Sequence, residues 1–171
     1  MVVLEPPPVE LQAWLDKRRA LGQDRFDEVW QGVYHVAPAP HPQHGAIEYR
    51  VLGALRTPAA TAGLIGLTAF DLGRPDDYRV LDHGYVREMP EETFVATAAM
   101  LVEILSPDDE TWAKQDFYFA HGVAELVVVD PVGRTVSWLG RGRHRFEARP
   151  GSAILGMSTE ELAVAIGWPA G

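Results

Sequence analysis

Two acidic residues lie within segments that otherwise have the apolar character of buried β-strands. Asp82 follows Val80 and Leu81, and Glu103 lies in the apolar run Ala98–Leu105. A carboxylate in a buried strand costs several kcal/mol unless a cation or hydrogen bonds compensate for the lost water. If the two strands are neighbours, both carboxylates could converge on a hard divalent cation such as Mg²⁺ or Mn²⁺, which prefers oxygen ligands. The alternative for each acid alone is a strand-end carboxylate or a partner for an arginine.

A lysine follows this acidic pair along the chain. Only two of the fifteen basic residues are lysines, Lys17 and Lys114, and Lys114 lies on a helix predicted from about Glu110 to His121. The helix comes directly after the Glu103 strand, so the long side chain can fold back over the end of that strand. In a metal-dependent hydrolase, a lysine there would orient the attacking water or neutralise charge on a phosphate. The alternative is an exposed lysine paired with Glu110, four residues earlier.

His44 and Glu48 lie one turn apart at the start of another predicted helix, Gln43–Leu55, whose apolar residues recur at helical spacing. Both side chains could therefore face the same site as the acidic pair. The alternative for His44 is a histidine exposed to solvent or bonded to a loop. The segment His41-Pro42-Gln43-His44 is not a zinc motif, because no cysteine or histidine partners follow at ligand spacing.

The sequence lacks the signatures of several other enzyme classes. No cysteine is present, which excludes disulfides, thiolate zinc sites and cysteine nucleophiles. Ser106 and Ser137 have no nucleophile elbow around them, so a serine hydrolase is not supported. The segment Gly63-Leu64-Ile65-Gly66 is too short and wrongly placed for a phosphate-binding glycine loop. Metal-dependent hydrolysis is the chemistry that the residues favour.

The charge balance is acidic, with 15 basic against 24 acidic residues and a formal net charge of −9. An acidic chain argues against strong non-specific binding to nucleic acid. One segment departs from this balance, because residues Arg134–Arg149 contain five arginines and a single acid, Glu147. This segment is a candidate contact for a phosphate backbone. The alternative is an ordinary solvent-exposed hairpin.

The beginning of the chain does not have the pattern of a signal peptide, because acids and prolines interrupt the apolar residues of the first thirty positions. No segment approaches the roughly 18 uninterrupted apolar residues of a membrane span. We therefore expect a cytoplasmic protein that does not contact a membrane. Exposed hairpins and a small core are compatible with a homodimer.

The elements that would position the candidate residues follow from hydrophobic periodicity and turn residues. A strand, a helix begun by Ser106–Asp109 and a second strand predict a right-handed parallel crossover. The order helix, three strands, helix and strand, with added N-terminal and C-terminal hairpins, predicts one α/β or α+β domain over residues 1–171. The predicted elements are helix Val9–Leu21, strands Phe26–Trp30 and Val33–Ala37, helix Gln43–Leu55, strands Leu64–Leu72, Tyr78–Arg87 and Ala98–Leu105, helix Glu110–His121, strand Leu126–Val129, strands Thr135–Leu139 and His144–Ala148, and helix Thr159–Ile166.

Several motifs together resemble the Uma-two family of restriction-endonuclease-like proteins, formerly a domain of unknown function. The likeness covers about residues 26–139, and the stretch from Glu103 to Pro131 is its most specific part. Weaker matches upstream are Asp27-Glu28-Val29 with Gly32, and His44. The specific residues are Leu81-Asp82, Leu101-Val102-Glu103-Ile104-Leu105-Ser106-Pro107, Lys114, Tyr118, His121-Gly122-Val123, Glu125-Leu126 and Val129-Asp130-Pro131.

The resemblance implies a core similar to that of PD-(D/E)xK nucleases and a metal-dependent phosphodiesterase that acts on DNA with Mg²⁺ or Mn²⁺. Asp82 would be the Asp of the motif and Glu103 its second acid, both as metal ligands. The sequence departs from the motif twice, since Leu81 replaces the proline before the Asp and Leu105 occupies the usual lysine position. The family supplies that lysine from the following helix, which here is Lys114.

His44 or Glu48 would then assist from the outer coordination shell. The alternative function is a non-catalytic module that keeps a nuclease-like fold for binding DNA or protein.

Overall fold

The computed structural model of the protein describes residues 2–4, 9–106 and 110–169. Pro107, Asp108 and Asp109, which are predicted to begin the helix after the Glu103 strand, lie outside the described residues. Within the described ranges, no helix combines the length and the apolar character needed to cross a membrane.

Helices and strands alternate along the chain in the way the periodicity predicts. The helices are α1 (Val9–Ala20), α2 (Pro42–Thr61), α3 (Gln115–Ala120) and α4 (Thr159–Ile166), and a 3₁₀ turn (Thr111–Lys114) precedes α3. The strands are β1 (Val2–Leu4), β2 (Glu28–Trp30), β3 (Val33–Val36), β4 (Ile65–Arg74), β5 (Asp77–Val86), β6 (Phe94–Val95), β7 (Met100–Ile104), β8 (Glu125–Asp130), β9 (Thr135–Arg141) and β10 (Phe146–Arg149).

One mixed sheet contains these strands. Its order is β1-β3-β2-β5-β7-β8-β9-β10, with β4 beside β5 and the short β6 beside β4. The pair β7–β8 is parallel and is joined through the 3₁₀ turn and α3, which confirms the predicted parallel crossover. The predicted core order corresponds to α2, β4, β5, β7, α3 and β8. The mixed α+β fold class is therefore confirmed.

Two hydrophobic cores pack on opposite faces of the sheet. One core lies under α2 and α4 and contains Val51, Leu55 and Trp138. The other lies under α3 and contains Leu101 and Tyr118. Because helices cover both faces, the central strand β7 is buried along its whole length. A carboxylate on that strand is therefore held out of bulk water by the packing on both sides.

The two predicted hairpins are present, although some element ends differ from the prediction. The β2–β3 turn contains Gly32 with a φ of +84°, a conformation that glycine adopts without strain. The β9–β10 turn comes later than predicted, since β9 runs to Arg141. The turn between β4 and β5 is only Pro75-Asp76, because both strands extend further.

Two helix predictions are wrong in their bounds. Helix α2 does not end before Pro58 but continues to Thr61, with Leu55 and Ala59 buried on either side of the proline. A proline keeps a helix-compatible φ, and the packing of this turn compensates for the hydrogen bond that it removes. The predicted helix Glu110–His121 begins as the 3₁₀ turn Thr111–Lys114 and becomes α-helical only at Gln115. The short strands β1 and β6 were not predicted.

Candidate active site

Asp82 lies where strand β5 passes from one neighbour to the next. On the edge away from β4, β5 pairs with β2 at Tyr78 and with β7 only from His83 onwards. On the β4 side, the regular pairing is interrupted opposite Asp82 at Ala69, which has a φ of +31°. A positive φ is uncommon for a residue other than glycine and marks a local distortion of the strand. The sheet therefore opens at the predicted acid, and its carboxylate is accessible from one side.

Two elements hold the Asp82 carboxylate in place. The backbone N–H of Ile104, at the end of β7, donates to Oδ2 at 2.7 Å. His44 Nε2 lies 2.9 Å from Oδ1, and His44 Nδ1 lies 3.2 Å from Ser106 Oγ. The hydrogen bond with Asp82 raises the pKa of His44, although burial acts in the opposite direction. His44 reaches this place because Pro42 begins α2 and His41 caps it, which puts His44 in the first turn.

Glu103 is the most deeply buried of the predicted acids, with 4% of its surface exposed. Tyr118 on α3 donates its hydroxyl hydrogen to Glu103 Oε1. Burial raises the pKa of Glu103 to about 8, the Lys114 ammonium opposes this rise, and the charge of Asp82 adds to it. The partner of this carboxylate is a tyrosine rather than an arginine, so the alternative of a simple Arg pair does not hold.

Lys114 points inward and forms an ion pair with an acid that was not among the predicted site residues. Its Nζ lies 2.8 Å from Glu28 Oε1, and its side chain is 13% exposed. Glu28 also accepts hydrogen bonds from the backbone N–H of Val80 at 3.0 Å and from Trp30 Nε1 at 2.6 Å. The lysine is therefore not the solvent-exposed helix residue of the alternative interpretation.

The pattern that could have identified Glu28 is the same one that identifies Asp82 and Glu103, namely a carboxylate within a predicted strand that has apolar neighbours. Glu28 lies between Phe26 and Val29 in the predicted strand Phe26–Trp30. It was missed because nothing in the sequence states that β2 lies beside β5. That pairing brings Glu28 next to Val80, 52 residues later.

All five predicted site residues line one cavity of about 490 Å³. Glu48 lies on its wall one turn after His44, and burial raises the pKa of Glu48. Glu28 and Glu110 add two further carboxylates to the lining. The five predicted residues are His44, Glu48, Asp82, Glu103 and Lys114.

The arginine-rich hairpin does not contribute to this cavity. Arg141 donates to the carbonyl oxygens of Phe119 and Val123, and Arg149 pairs with Glu147 at 2.9 Å. The cavity lining includes no residue of β9 or β10 among those described. The local excess of arginine is therefore partly used within the fold, and it lies at the opposite edge of the sheet from β2.

The acids can hold a metal only with help from other ligands. Among the described residues, no group of three or more histidine, aspartate or glutamate side chains has a geometry that could hold a metal ion. Asp82 and Glu103 can offer two carboxylates at most. Mg²⁺ is commonly held in this way, by one or two carboxylates together with water and substrate phosphates.

Comparisons with known proteins agree with the sequence resemblance. A family model described as "Putative restriction endonuclease" (Uma2) matches residues 10–167. No curated protein matches the chain. The crystal structure of a putative nuclease belonging to DUF820 from Anabaena variabilis is similar in fold, with a TM-score of 0.65 and 18% sequence identity over 82% of this chain and 90% of that chain. Because the family model spans nearly the whole sequence, the chain belongs to the Uma2 family.

Proposed function

We propose that the protein is a Mg²⁺-dependent, endonuclease-like phosphodiester hydrolase that acts on DNA, with Mn²⁺ as a second suitable cation. Asp82 and Glu103 hold the metal, and Lys114 positions the attacking water. The observation that carries this proposal is the convergence of these three side chains on one cavity from β5, β7 and the 3₁₀ turn. Membership of a family whose model is described as "Putative restriction endonuclease" supports it.

The donor set fits a hard divalent cation. Both ligands are carboxylates, and the carboxylate of Glu103 has lost nearly all contact with bulk water. Burial and the neighbouring charge of Asp82 both disfavour the ionised form of Glu103. A cation between the two acids would compensate for both effects. Oxygen-only coordination selects Mg²⁺ or Mn²⁺ over zinc.

A bound Mg²⁺ would polarise a phosphodiester oxygen and activate a water for attack on phosphorus. The residues of the chain prepare the site for this reaction. His44 and the Ile104 N–H fix the orientation of Asp82, and the Tyr118 hydroxyl fixes that of Glu103. The lysine ammonium donates hydrogen bonds to the attacking water and stabilises the charge that develops on the phosphate.

In terms of the PD-(D/E)xK motif, Asp82 is the first acid and Glu103 the second. Leu105, at the usual lysine position, packs against the core under α3. Lys114 therefore takes the role of the motif lysine from the following element. Glu48 assists from the cavity wall beside His44, as an outer-shell residue that binds water.

Cleavage of plasmid DNA tests the proposal. With Mg²⁺ or Mn²⁺, the wild type is expected to nick or linearise the plasmid, and EDTA is expected to stop the reaction. Asp82→Ala and Lys114→Met are expected to lose this activity, whereas Arg143→Gln, on the distant hairpin, is expected to keep it. Thermal melting of each variant separates loss of the site from loss of the fold.

Two outcomes would contradict the proposal. Activity that survives both Asp82→Ala and Lys114→Met would show that the cleavage comes from elsewhere. A wild type that binds DNA or a protein but cleaves no DNA with either metal would favour the alternative, a non-catalytic nuclease-fold module. The homodimer and the cytoplasmic location stay predictions, and sedimentation velocity tests the first of them.

A further inference from the structure

The wall of the cavity is acidic. Among the described residues that line it, five are carboxylates, while the cationic side chains besides histidine are Arg25 and Lys114. With the histidines neutral, the lining has a formal excess of three negative charges, which one Mg²⁺ does not cancel. A DNA duplex presents one phosphate charge per about 1.7 Å of its axis, and proteins bind it with several lysines and arginines in a row. The described rim of this cavity has no such row.

The arginines of the β9–β10 hairpin do not contribute to the cavity, and two other arginines are held in ion pairs. Those of the β9–β10 hairpin lie outside its lining, and Arg141 is bonded to backbone carbonyls. Arg18 is paired with the buried Asp27, and Arg74 is paired with Asp76. With five carboxylates against Arg25 and Lys114, the lining of the cavity is unsuited to a long, stiff, highly charged ligand.

Glu103 and Lys114, two of the groups proposed to act on a phosphodiester, lie deep in the cavity. The Glu28 and Glu103 side chains are almost completely buried, and Lys114 is 13% exposed. Duplex DNA is stiff, with a persistence length of about 150 base pairs, so lowering one of its phosphates into a recess requires a costly distortion. An unpaired strand is flexible and can bend into the cavity.

An aromatic residue and an arginine stand side by side on the cavity wall. Phe26 lines the cavity and is half-buried, and the Arg25 guanidinium lies 5.6 Å from the centre of its ring. Arg25 is exposed, and its charge acts on the neighbouring Glu48 of the cavity wall, partly opposing the rise that burial causes in the pKa of that carboxyl. The next residue, Asp27, is fixed by hydrogen bonds from Arg18, Tyr34 and the Ala37 N–H. These hydrogen bonds anchor the chain one residue after Phe26.

Aromatic side chains beside cationic groups are what proteins use to bind unpaired nucleic acid, because every base offers a face for stacking. We infer that the substrate of this site is an unpaired DNA strand, with one base stacked on Phe26 and an adjacent phosphate bound by Arg25. The inference rests on the proposed nuclease function and names its substrate class. It excludes continuous duplex DNA as the preferred substrate.

Three DNA substrates of one sequence test the inference with the Mn²⁺-loaded full chain. These are a single strand, its blunt duplex, and the duplex with a central unpaired bubble. We expect cleavage of the single strand and of the bubble, and a much lower kcat/KM within continuous duplex. Equal rates on all three would overturn the inference and leave the proposed function standing. Cleavage of none of them would overturn the proposed function itself.

Substitutions at Phe26 separate stacking from a structural role. Phe26→Leu keeps an apolar side chain but removes the aromatic face, and we expect KM for the single strand to rise by between about 5-fold and 150-fold. Phe26→Tyr keeps the face and should leave KM near the wild-type value, with kcat little changed in both variants. The Mn²⁺ affinity measured by calorimetry should be the same in the wild type and in both variants. A fall in kcat or in Mn²⁺ affinity with KM unchanged would mean that Phe26 only supports the fold.

The salt dependence of KM tests Arg25. Each phosphate contact to a single strand contributes about 0.7 to the slope of log affinity against log salt concentration. Arg25→Gln should reduce this slope by about that amount, whereas Arg143→Gln, the matched control on the β9–β10 hairpin, should leave it unchanged. Equal slopes for the wild type and Arg25→Gln would refute the assignment of Arg25 to a phosphate.

Discussion

Replacing Glu28 by glutamine removes the charge that faces Lys114 while keeping the shape of the side chain. In the wild type, this carboxylate accepts hydrogen bonds from Lys114 Nζ, the Val80 N–H and Trp30 Nε1. A glutamine amide has one acceptor oxygen, and its NH₂ group can only donate. At least one of the three donors, of which the Val80 N–H is buried, therefore loses its acceptor.

The expected cost follows from the burial of the pair. Removing one partner of a buried ion pair costs about 3–5 kcal/mol, because the other charge stays behind without compensation. The remaining oxygen of glutamine keeps part of the network, so we expect the free energy of unfolding to fall by about 3 kcal/mol. For a chain of this length, that change corresponds to a melting temperature lower by about 6 to 12 °C.

Urea unfolding of Glu28→Gln beside a matched control measures this cost. The control is Glu147→Gln, because Glu147 pairs with Arg149 at 2.9 Å while both side chains are about half exposed. An exposed pair contributes at most about 1 kcal/mol, so the control should stay close to the wild type. Equal stability losses for the two variants would refute the conclusion that the Glu28–Lys114 pair is buried and coupled.

A double-mutant cycle isolates the interaction itself. Lys114→Met leaves Glu28 buried without its cation and should destabilise the protein at least as much as Glu28→Gln. The double variant should be more stable than the sum of the two losses by about 2 kcal/mol, because neither charge then remains unpaired. If the stability losses of the two single variants sum to the loss of the double variant within about 0.5 kcal/mol, the two residues do not interact.

Three other perturbations have expected outcomes. Burial lowers the pKa of His83 to about 4, so on acidification the unfolded chain takes up a proton near about pH 6.5, before the folded protein does. The free energy of unfolding should therefore fall by up to about 3 kcal/mol between about pH 6.5 and about pH 4. Urea titrations at stepped pH should show this fall, and His83→Phe should flatten it. The pKa of Glu103 is raised to about 8, so its ionisation destabilises the metal-free fold as the pH rises from about 4.5 through 8. In EDTA, the Glu103→Gln variant should therefore be more stable than the wild type at about pH 9 but not at about pH 4. His44→Ala should weaken calorimetric Mn²⁺ affinity by about 10- to 100-fold because His44 orients Asp82, while Tyr49→Ala, on an exposed face of the same helix, should not.

Much of the fold could be predicted from local patterns. Helix α4 has the predicted bounds because a capping box of Ser158 and Glu161 begins it and Gly167 ends it in a left-handed conformation. The β7–β8 crossover could be predicted because two buried apolar runs flank a helical segment. The end of α2 could not, because only tertiary packing around Pro58 decides whether a proline ends a helix or is carried within it.

Part of the candidate site could likewise be predicted from local sequence, and the rest depends on tertiary packing. Asp82 and Glu103 stand out because an acid in an apolar strand needs a compensating group, and the family resemblance assigned Lys114 beside them. The partners of these residues depend on which strands are neighbours, which one sequence does not state. Glu28 therefore remained unassigned although its strand was predicted, and the Tyr118–Glu103 hydrogen bond required the packing of α3 on the sheet.

The leucine at position 105 and the position of Glu28 are related, because both bear on how a lysine reaches the cavity. A lysine two residues after Glu103 would be oriented by strand β7 itself, but here that position is occupied by a leucine that packs into the core under α3. A lysine at the junction of the 3₁₀ turn and α3 reaches the same cavity on a long, flexible side chain, and holding it there costs side-chain entropy. A buried carboxylate 2.8 Å from its Nζ, itself fixed by the Val80 N–H and the Trp30 indole, orients this lysine side chain. We therefore expect that loss of Glu28 impairs the position of Lys114 as much as it impairs the fold.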